Sequence, residues 1–151
     1  MRLFGIILLL VSFVACDQES DGTIQTFTFG TYYGECIATC YNSFSFKEGV
    51  FAWEQRDYVG GEIQDICQGG QANSIWTELN AAFNLAAFMG LDEVIGCPDC
   101  ADGGASFIEI EIGDERTRVT FETGNPPLGM EAFHEKVSEY SEDISDLSEC
   151  Q

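Results

Sequence analysis

Between Asn42 and Asp57 the chain alternates large apolar residues with small or polar ones on both sides of Glu48-Gly49, and no other stretch limits the possible folds as much. Side chains in a strand point to opposite faces in turn. A two-residue turn at Glu48-Gly49 therefore pairs Phe46 with Phe51 and Phe44 with Trp53 on one face, and puts Ser45 and Ala52 on the other. A slip of one residue would send all of these aromatics to the opposite face, so pattern and turn chemistry select the same register. The product is a hairpin with a large apolar face that a second layer has to cover.

Phe107 to Phe121 repeats the design. With Asp114-Glu115 at the centre, Ile110 meets Val119 and Ile108 meets Phe121 on the buried face; on the wet face Glu111 meets Arg118 and Glu109 meets Thr120. An exposed Glu–Arg pair adds only a few tenths of a kcal/mol and selects register more than stability. Thr23 to Gly30 also alternates and is rich in β-formers, which predicts a further strand.

Two segments change to helical spacing. Asn73 or Ser74 caps a helix from about Ile75 to Met89, stopped by Gly90, with Ile75, Leu79, Ala82, Phe83 and Ala86 on its apolar face. After Asn125-Pro126-Pro127, a second runs from about Leu128 to Leu147 with Met130, Phe133, Val137, Tyr140, Ile144 and Leu147 in one stripe. Tyr58 to Gln71 and Leu91 to Gly104 hold glycines and cysteines and read as loops, the first with at most a short strand. The expected fold is α+β: an antiparallel sheet of about five strands with two helices packed on one face, in the order β-ββ-α-ββ-α, stapled by disulfides.

The first residues tell where the chain goes. Met1 and Arg2 give a basic start, and Leu3 to Val14 follow almost without a polar residue. About twelve residues are too few to span the roughly 30 Å of bilayer hydrocarbon as a helix, and the pattern is that of a secretory signal peptide. Val14-Ala15-Cys16 resembles the lipobox of bacterial lipoproteins, with Phe13 where leucine is usual. That resemblance implies that Cys16 becomes the lipidated first residue, held in the membrane by acyl chains. Asp17 to Gly22 is acidic and lacks apolar residues, so it reads as a tether and is similar to the export signal of some surface lipoproteins of the Bacteroidota. The expected organisation is a signal peptide at 1–15, lipidated cysteine and tether at 16–23, and one domain over 24–151.

Without residues 1–15 the chain carries 5 Lys/Arg against 26 Asp/Glu, a net charge of −21. Phosphate backbones are repelled and no basic patch offsets this, which excludes nucleic acid as a partner. The same charge opposes docking on anionic lipid, leaving the acyl chains as the route to the membrane.

Six cysteines follow Cys16: Cys36, Cys40, Cys67, Cys97, Cys100 and Cys150. An even number in an exported domain points to disulfides, with the pairing left open. Two sharper alternatives use the same residues. Cys36 and Cys40 with Cys97 and Cys100 have the spacing of a four-thiolate zinc site. Cys97-Pro98-Asp99-Cys100 alone has the spacing of a redox pair, but Ala101 to Gly104 leads into a strand and not into the helix that lowers a thiol pKa. Asp99 and Asp102 lack EF-hand spacing, and His134 is a lone histidine with no nucleophile elbow to serve. No phosphate-binding glycine loop and no HExxH is present. No cofactor and no catalytic residue is expected.

Tyr33-Gly34-Glu35-Cys36 with Cys40, and Asp99 to Gly104 before an alternating strand pair, resemble small lipoprotein domains of the Bacteroidota. The resemblance spans most of residues 25–147. It implies an outer-membrane lipoprotein, on the cell surface or the periplasmic face, with an envelope or extracellular partner and no particular activity. The leading expectation is a non-catalytic binding or structural module. The alternatives are a thiol-redox or zinc protein using Cys97 and Cys100, and a cystine-rich protease inhibitor.

Overall fold

The alternating stretches do become strands, arranged around the first of them. A computed structural model of the chain describes residues 22–70 and 73–145. Strands β1 (Ile24–Tyr32), β2 (Tyr41–Lys47), β3 (Val50–Arg56) and β4 (Ile63–Gly70) form an antiparallel meander. Helices α1 (Asn73–Ala82) and α2 (Leu85–Phe88) follow, then the two-residue strand β5 (Val94–Ile95) and a 3-10 turn at Cys100–Asp102. The hairpin β6 (Ala105–Ile112) and β7 (Glu115–Glu122) returns to the free side of β1, and α3 (Glu131–Ser145) closes the described fold. Spatial order is β4-β3-β2-β1-β6-β7-β5, with β5 parallel to β7.

This corrects the expected layout. Among the described residues the sheet has seven strands and is mixed, not about five and antiparallel, and it carries three helices rather than two. β4 lies in the stretch read as a loop: Ile63, Ile66 and Cys67 supply its β-formers, and at this edge Gly69 lets the Phe51 ring lie across the strand where a Cβ would stand. The long helix is cut at Phe83-Asn84, where Asn84 caps a new turn by accepting a hydrogen bond from the Ala87 amide at 3.1 Å. Asn competes for backbone groups and is better as a cap than in a helix interior. The break shifts the phase, so Phe88 is buried and Ala86 is exposed.

The first hairpin has the expected register, Phe44 opposite Trp53 and Phe46 opposite Phe51. The second is displaced. Its two-residue turn is Gly113-Asp114, so Ile108 faces Val119, Glu109 faces Arg118 and Glu111 faces Arg116. Gly113 at φ 61° supplies the left-handed first position that a type II′ turn requires, which Asp114-Glu115 would not. Moving the turn by one position leaves every side chain on its expected face.

One face of the sheet is the core. Phe27, Phe29, Phe44, Phe46, Ile108, Ile110, Val119 and Phe121 meet Leu79, Phe88, Met130, Phe133 and Val137 from the helices. Phe27 sits at the centre, with its ring 5.0 Å from Trp76 and Phe83 and 5.1 Å from Phe133. Tyr140 ties α3 to α1 by donating to Glu78 at 2.5 Å. Among the described residues no helix covers the other face.

Candidate functional site

The uncovered face is built by the alternate residues of the core strands. β1 contributes Thr26 and Thr28, β2 Tyr41, Ser43 and Ser45, β3 Glu54 and Arg56, β6 Glu109 and Glu111, and β7 Arg116 and Arg118. With Val59 and Gly60 at the rim they enclose a polar cleft of about 450 Å3. That is the size of an ordinary small-ligand site, about 300–1,000 Å3.

Charge is distributed unevenly here. Three of the chain's six Lys/Arg residues line this one cleft, with three glutamates, so it is neutral on a chain of net charge −20. Glu109 is only 6% exposed. Arg118 Nε donates to its Oε2 at 2.7 Å, and Arg116 Nε lies 3.4 Å from its Oε1. Arg116 also pairs with Glu111, and Arg56 donates to Glu54 at 2.8 Å and to the Gly61 carbonyl at 2.9 Å. The Thr26 hydroxyl and the Arg116 guanidinium hold the Glu111 carboxyl below the usual carboxylate range, against the opposing effect of its partial burial. Arg56 and Arg116 are raised above their ordinary value, mainly by hydrogen bonds to Glu54 and Glu111.

Beneath the charges lies a ladder of stacked groups. The Arg118 guanidinium carbon is 4.0 Å above the Phe107 ring centre; Phe107 stacks on Tyr41 at 5.8 Å, and Arg56 stands 5.8 Å over Tyr41. Phe107 reaches across β1 because Gly30 lies in its path: a Cβ there would run into the Phe107 ring and stand 2.7 Å from the Asn42 carbonyl oxygen. Glycine at the centre of a buried strand is otherwise unfavourable, and here it makes room for the ring.

Two cystine loops lie at the end of the sheet where β1 finishes and β6 begins, while Cys67 stands within β4 on the core side. Cys36 is bonded to Cys40 and Cys97 to Cys100, with Cα atoms 5.7 and 5.5 Å apart. Cys67 is also disulfide-bonded. The predicted lipidation site Cys16 and the disulfide candidate Cys150 lie outside the described residues. The two cystine loops touch, since the Gly34 amide donates to Asp99 Oδ2 at 2.8 Å. The sulfurs are paired within each loop, and oxidised sulfur offers no thiolate to zinc. Among the described residues no group of three or more His, Cys, Asp or Glu stands in position to hold a metal ion. Cys97–Cys100 precedes a 3-10 turn in which Ala101 adopts φ 54°, ψ 42°, not an α-helix N-terminus.

His134 stands on α3 and is turned toward the sheet. It is half-buried, edge-on to Phe29 at 5.4 Å and to Phe121 at 6.0 Å, and burial lowers its pKa. It lines a second hollow of about 310 Å3 on the helix side with Ser138, Ser141 and Glu142.

Sequence reasoning missed the cleft residues as a group, although it placed Glu109, Glu111 and Arg118 on a wet face. The signal that could have found them is the spacing of Arg56, Arg116 and Arg118, cations at outward positions of strands in a chain with few cations. No family profile matches the chain, and none of the curated proteins matches it.

Proposed function

We propose that this chain is a lipid-anchored, non-catalytic binding module of the bacterial cell envelope, held through Cys16 and taking its ligand on the open face of the sheet. The observation that carries the reading is the cleft itself: a sheet face that no other described element covers, of small-ligand volume, where half of the chain's cations are collected. Each carboxylate of the cleft is engaged by a guanidinium, Glu54 by Arg56, Glu111 by Arg116, and Glu109 by Arg116 and Arg118. Such pairing opposes the proton transfer that a general acid or base performs, and favours recognition over chemistry.

Oxidised cysteines agree with an extracytoplasmic compartment, where disulfides persist. The signal peptide and lipobox resemblance support an outer-membrane lipoprotein on the cell surface or the periplasmic face. β1 begins at Ile24 beside Ile112 and ends at Tyr32 beside Ala105, eight residues or roughly 26 Å further on. A tether through Cys16 then joins the end of the sheet that carries the hairpin turns, and the cystine loops face away from it.

Two experiments test this. Cys16→Ser should move the protein from the detergent phase to the aqueous phase and abolish labelling by a palmitate analogue; retention of both would refute the anchor. A fragment library screened by ligand-observed NMR should give binders that are lost in Thr28→Trp, which fills the cleft from β1. Binders indifferent to Thr28→Trp would place the ligand elsewhere.

A further inference from the structure

We propose that Arg118 is the specificity-determining residue of the open-face cleft, and that it receives the carboxylate of a small acidic saccharide. The inference rests on the reading of that face as the ligand site.

Arg118 is fixed from two sides. Its Nε donates to the buried Glu109, and its guanidinium carbon stands 4.0 Å over the centre of the Phe107 ring. Phe107 is itself buried and held in place by Tyr41. Among the described residues the two Nη groups form no hydrogen bond, while 37% of the side chain remains exposed to the cleft and solvent. The outer edge of a guanidinium is a fork of parallel N–H groups that matches a carboxylate bidentately, and a fork already held in one plane loses little freedom on binding. Arg116 and Arg56 differ in this respect: Arg116 has Nη2 on Glu111, and Arg56 has Nη2 on Glu54 and Nη1 on the Gly61 carbonyl, so neither keeps a free outer fork.

The surroundings set the charge and the body of the ligand. Three glutamates balance three arginines in the cleft, so it has no surplus charge for a polyanion, while the unused Nη pair of Arg118 offers hydrogen-bond donors to a single carboxylate. The hydroxyls of Thr26, Thr28, Ser43 and Ser45 form a row across β1 and β2, with Thr28 and Ser45 3.2 Å apart. Hydroxyl groups donate and accept, and so complement a ligand rich in hydroxyls. An extended peptide fits less well. It binds a sheet by adding a strand at an edge, whereas β1, β2 and β6 are paired on both sides and offer no free backbone. A carboxylate on a hydroxylated ring satisfies all of these conditions together.

The test is calorimetric titration of the purified full-length protein with a panel of di- and trisaccharides containing uronic or sialic acid, each beside its carboxyl methyl ester. At least one acid should bind saturably, and its ester should bind about tenfold weaker or worse, because a charge-assisted bidentate pair is lost. Arg118→Lys, which keeps the charge without the fork, should weaken the acid by a similar factor and leave the ester unchanged; Lys136→Gln, outside the cleft, should change neither. The ester comparison uses the unaltered protein and does not depend on how any variant folds. Equal binding of acid and ester would remove the carboxylate role of Arg118. Absence of any saccharide binding, with fragments still lost in Thr28→Trp, would overturn the saccharide inference and leave the open-face site standing. Loss of both responses would overturn the two together.

Discussion

Adding one methyl group at Gly30 tests the packing beneath the cleft. In a strand whose φ and ψ suit any residue, Gly→Ala normally stabilises by about 0.4–1 kcal/mol, because the unfolded chain loses freedom. Gly30 has no positive φ, so this gain applies in full. Against it stands a collision: the new Cβ overlaps the Phe107 ring and comes within 2.7 Å of the Asn42 carbonyl oxygen. The ring is buried and stacked on Tyr41, and Asn42 is in the paired strand β2, so neither neighbour yields cheaply. Overpacking of this kind costs about 1–3 kcal/mol. The clash wins, and Gly30→Ala should lose about 1–2 kcal/mol net in urea denaturation, read at constant m-value. Gly70→Ala provides the comparison. It makes the same change at the end of the edge strand β4, where the nearest atom to the new Cβ is the Gly49 carbonyl oxygen at 3.9 Å. That variant should be neutral or gain about half a kcal/mol. If Gly30→Ala proves as stable as the wild type, Phe107 does not lie across β1 and the ladder under Arg118 is wrong.

Three further outcomes follow from the same geometry. Glu109→Gln should destabilise by about 1–2 kcal/mol in the same assay, less than the 3–5 of a fully buried pair, because Arg118 and Arg116 keep 37% and 62% of their side chains exposed; a change near zero would mean that water already holds both guanidinium groups. Ala101→Gly should raise the thermal midpoint, since Ala101 sits in the left-handed region at a cost of about 1–2 kcal/mol that glycine avoids, and a lowered midpoint would show that its methyl group packs. His134 has its pKa lowered from 6.5 by burial, so the unfolded chain takes up that proton first as pH falls. Stability is then held above 6.5 and lost as pH drops through 6.5 toward the lower folded value, and His134→Phe should flatten this part of the urea-midpoint profile; an unchanged profile would assign the slope to other groups.

What could be read from the sequence was what has a short period. Phe44, Phe46, Phe51 and Trp53 fix a register because every second residue is aromatic, and Phe133 and Val137, with Met130 just before the helix, mark the buried face of α3 for the analogous helical reason. The misreadings have local causes. Strand β4 begins within a glycine-rich run and pairs on one side only, so Ile63-Gln64-Asp65-Ile66 lacks the alternation of a half-buried strand. β5 has two residues and no pattern to detect. The break at Asn84 is capping chemistry inside an apolar run, where composition favours a continuous helix. The cleft was hidden for a different reason. Its parts belong to two hairpins separated in sequence by two helices, and they become one surface only because β6 pairs with β1. Pairing between distant strands leaves no mark in either strand.

That pairing also explains why the arginines belong where they are. β1 and β6 carry Phe27, Phe29, Ile108 and Ile110 to the helices, so Thr28 and Glu109 are obliged to face the other way, side by side at the centre of the sheet. A glutamate there is nearly enclosed by its neighbours and needs a partner within reach. The register of the second hairpin delivers one, since Arg118 stands directly opposite Glu109 and Arg116 opposite Glu111. Had the turn fallen one residue later, Glu109 would face Thr120, and the buried carboxylate would lie one step from its cation. Gly113 therefore sets the electrostatics of the open face as well as the turn. Glu109 in turn holds Arg118 by Nε, the one N–H of the guanidinium that is not on its outer edge. The sheet thus solves a folding problem and exposes a donor fork by the same contact. Glu109→Gln and Arg118→Lys separate the two consequences, because the first removes the charge that seats the guanidinium, and the second keeps a cation but removes the fork.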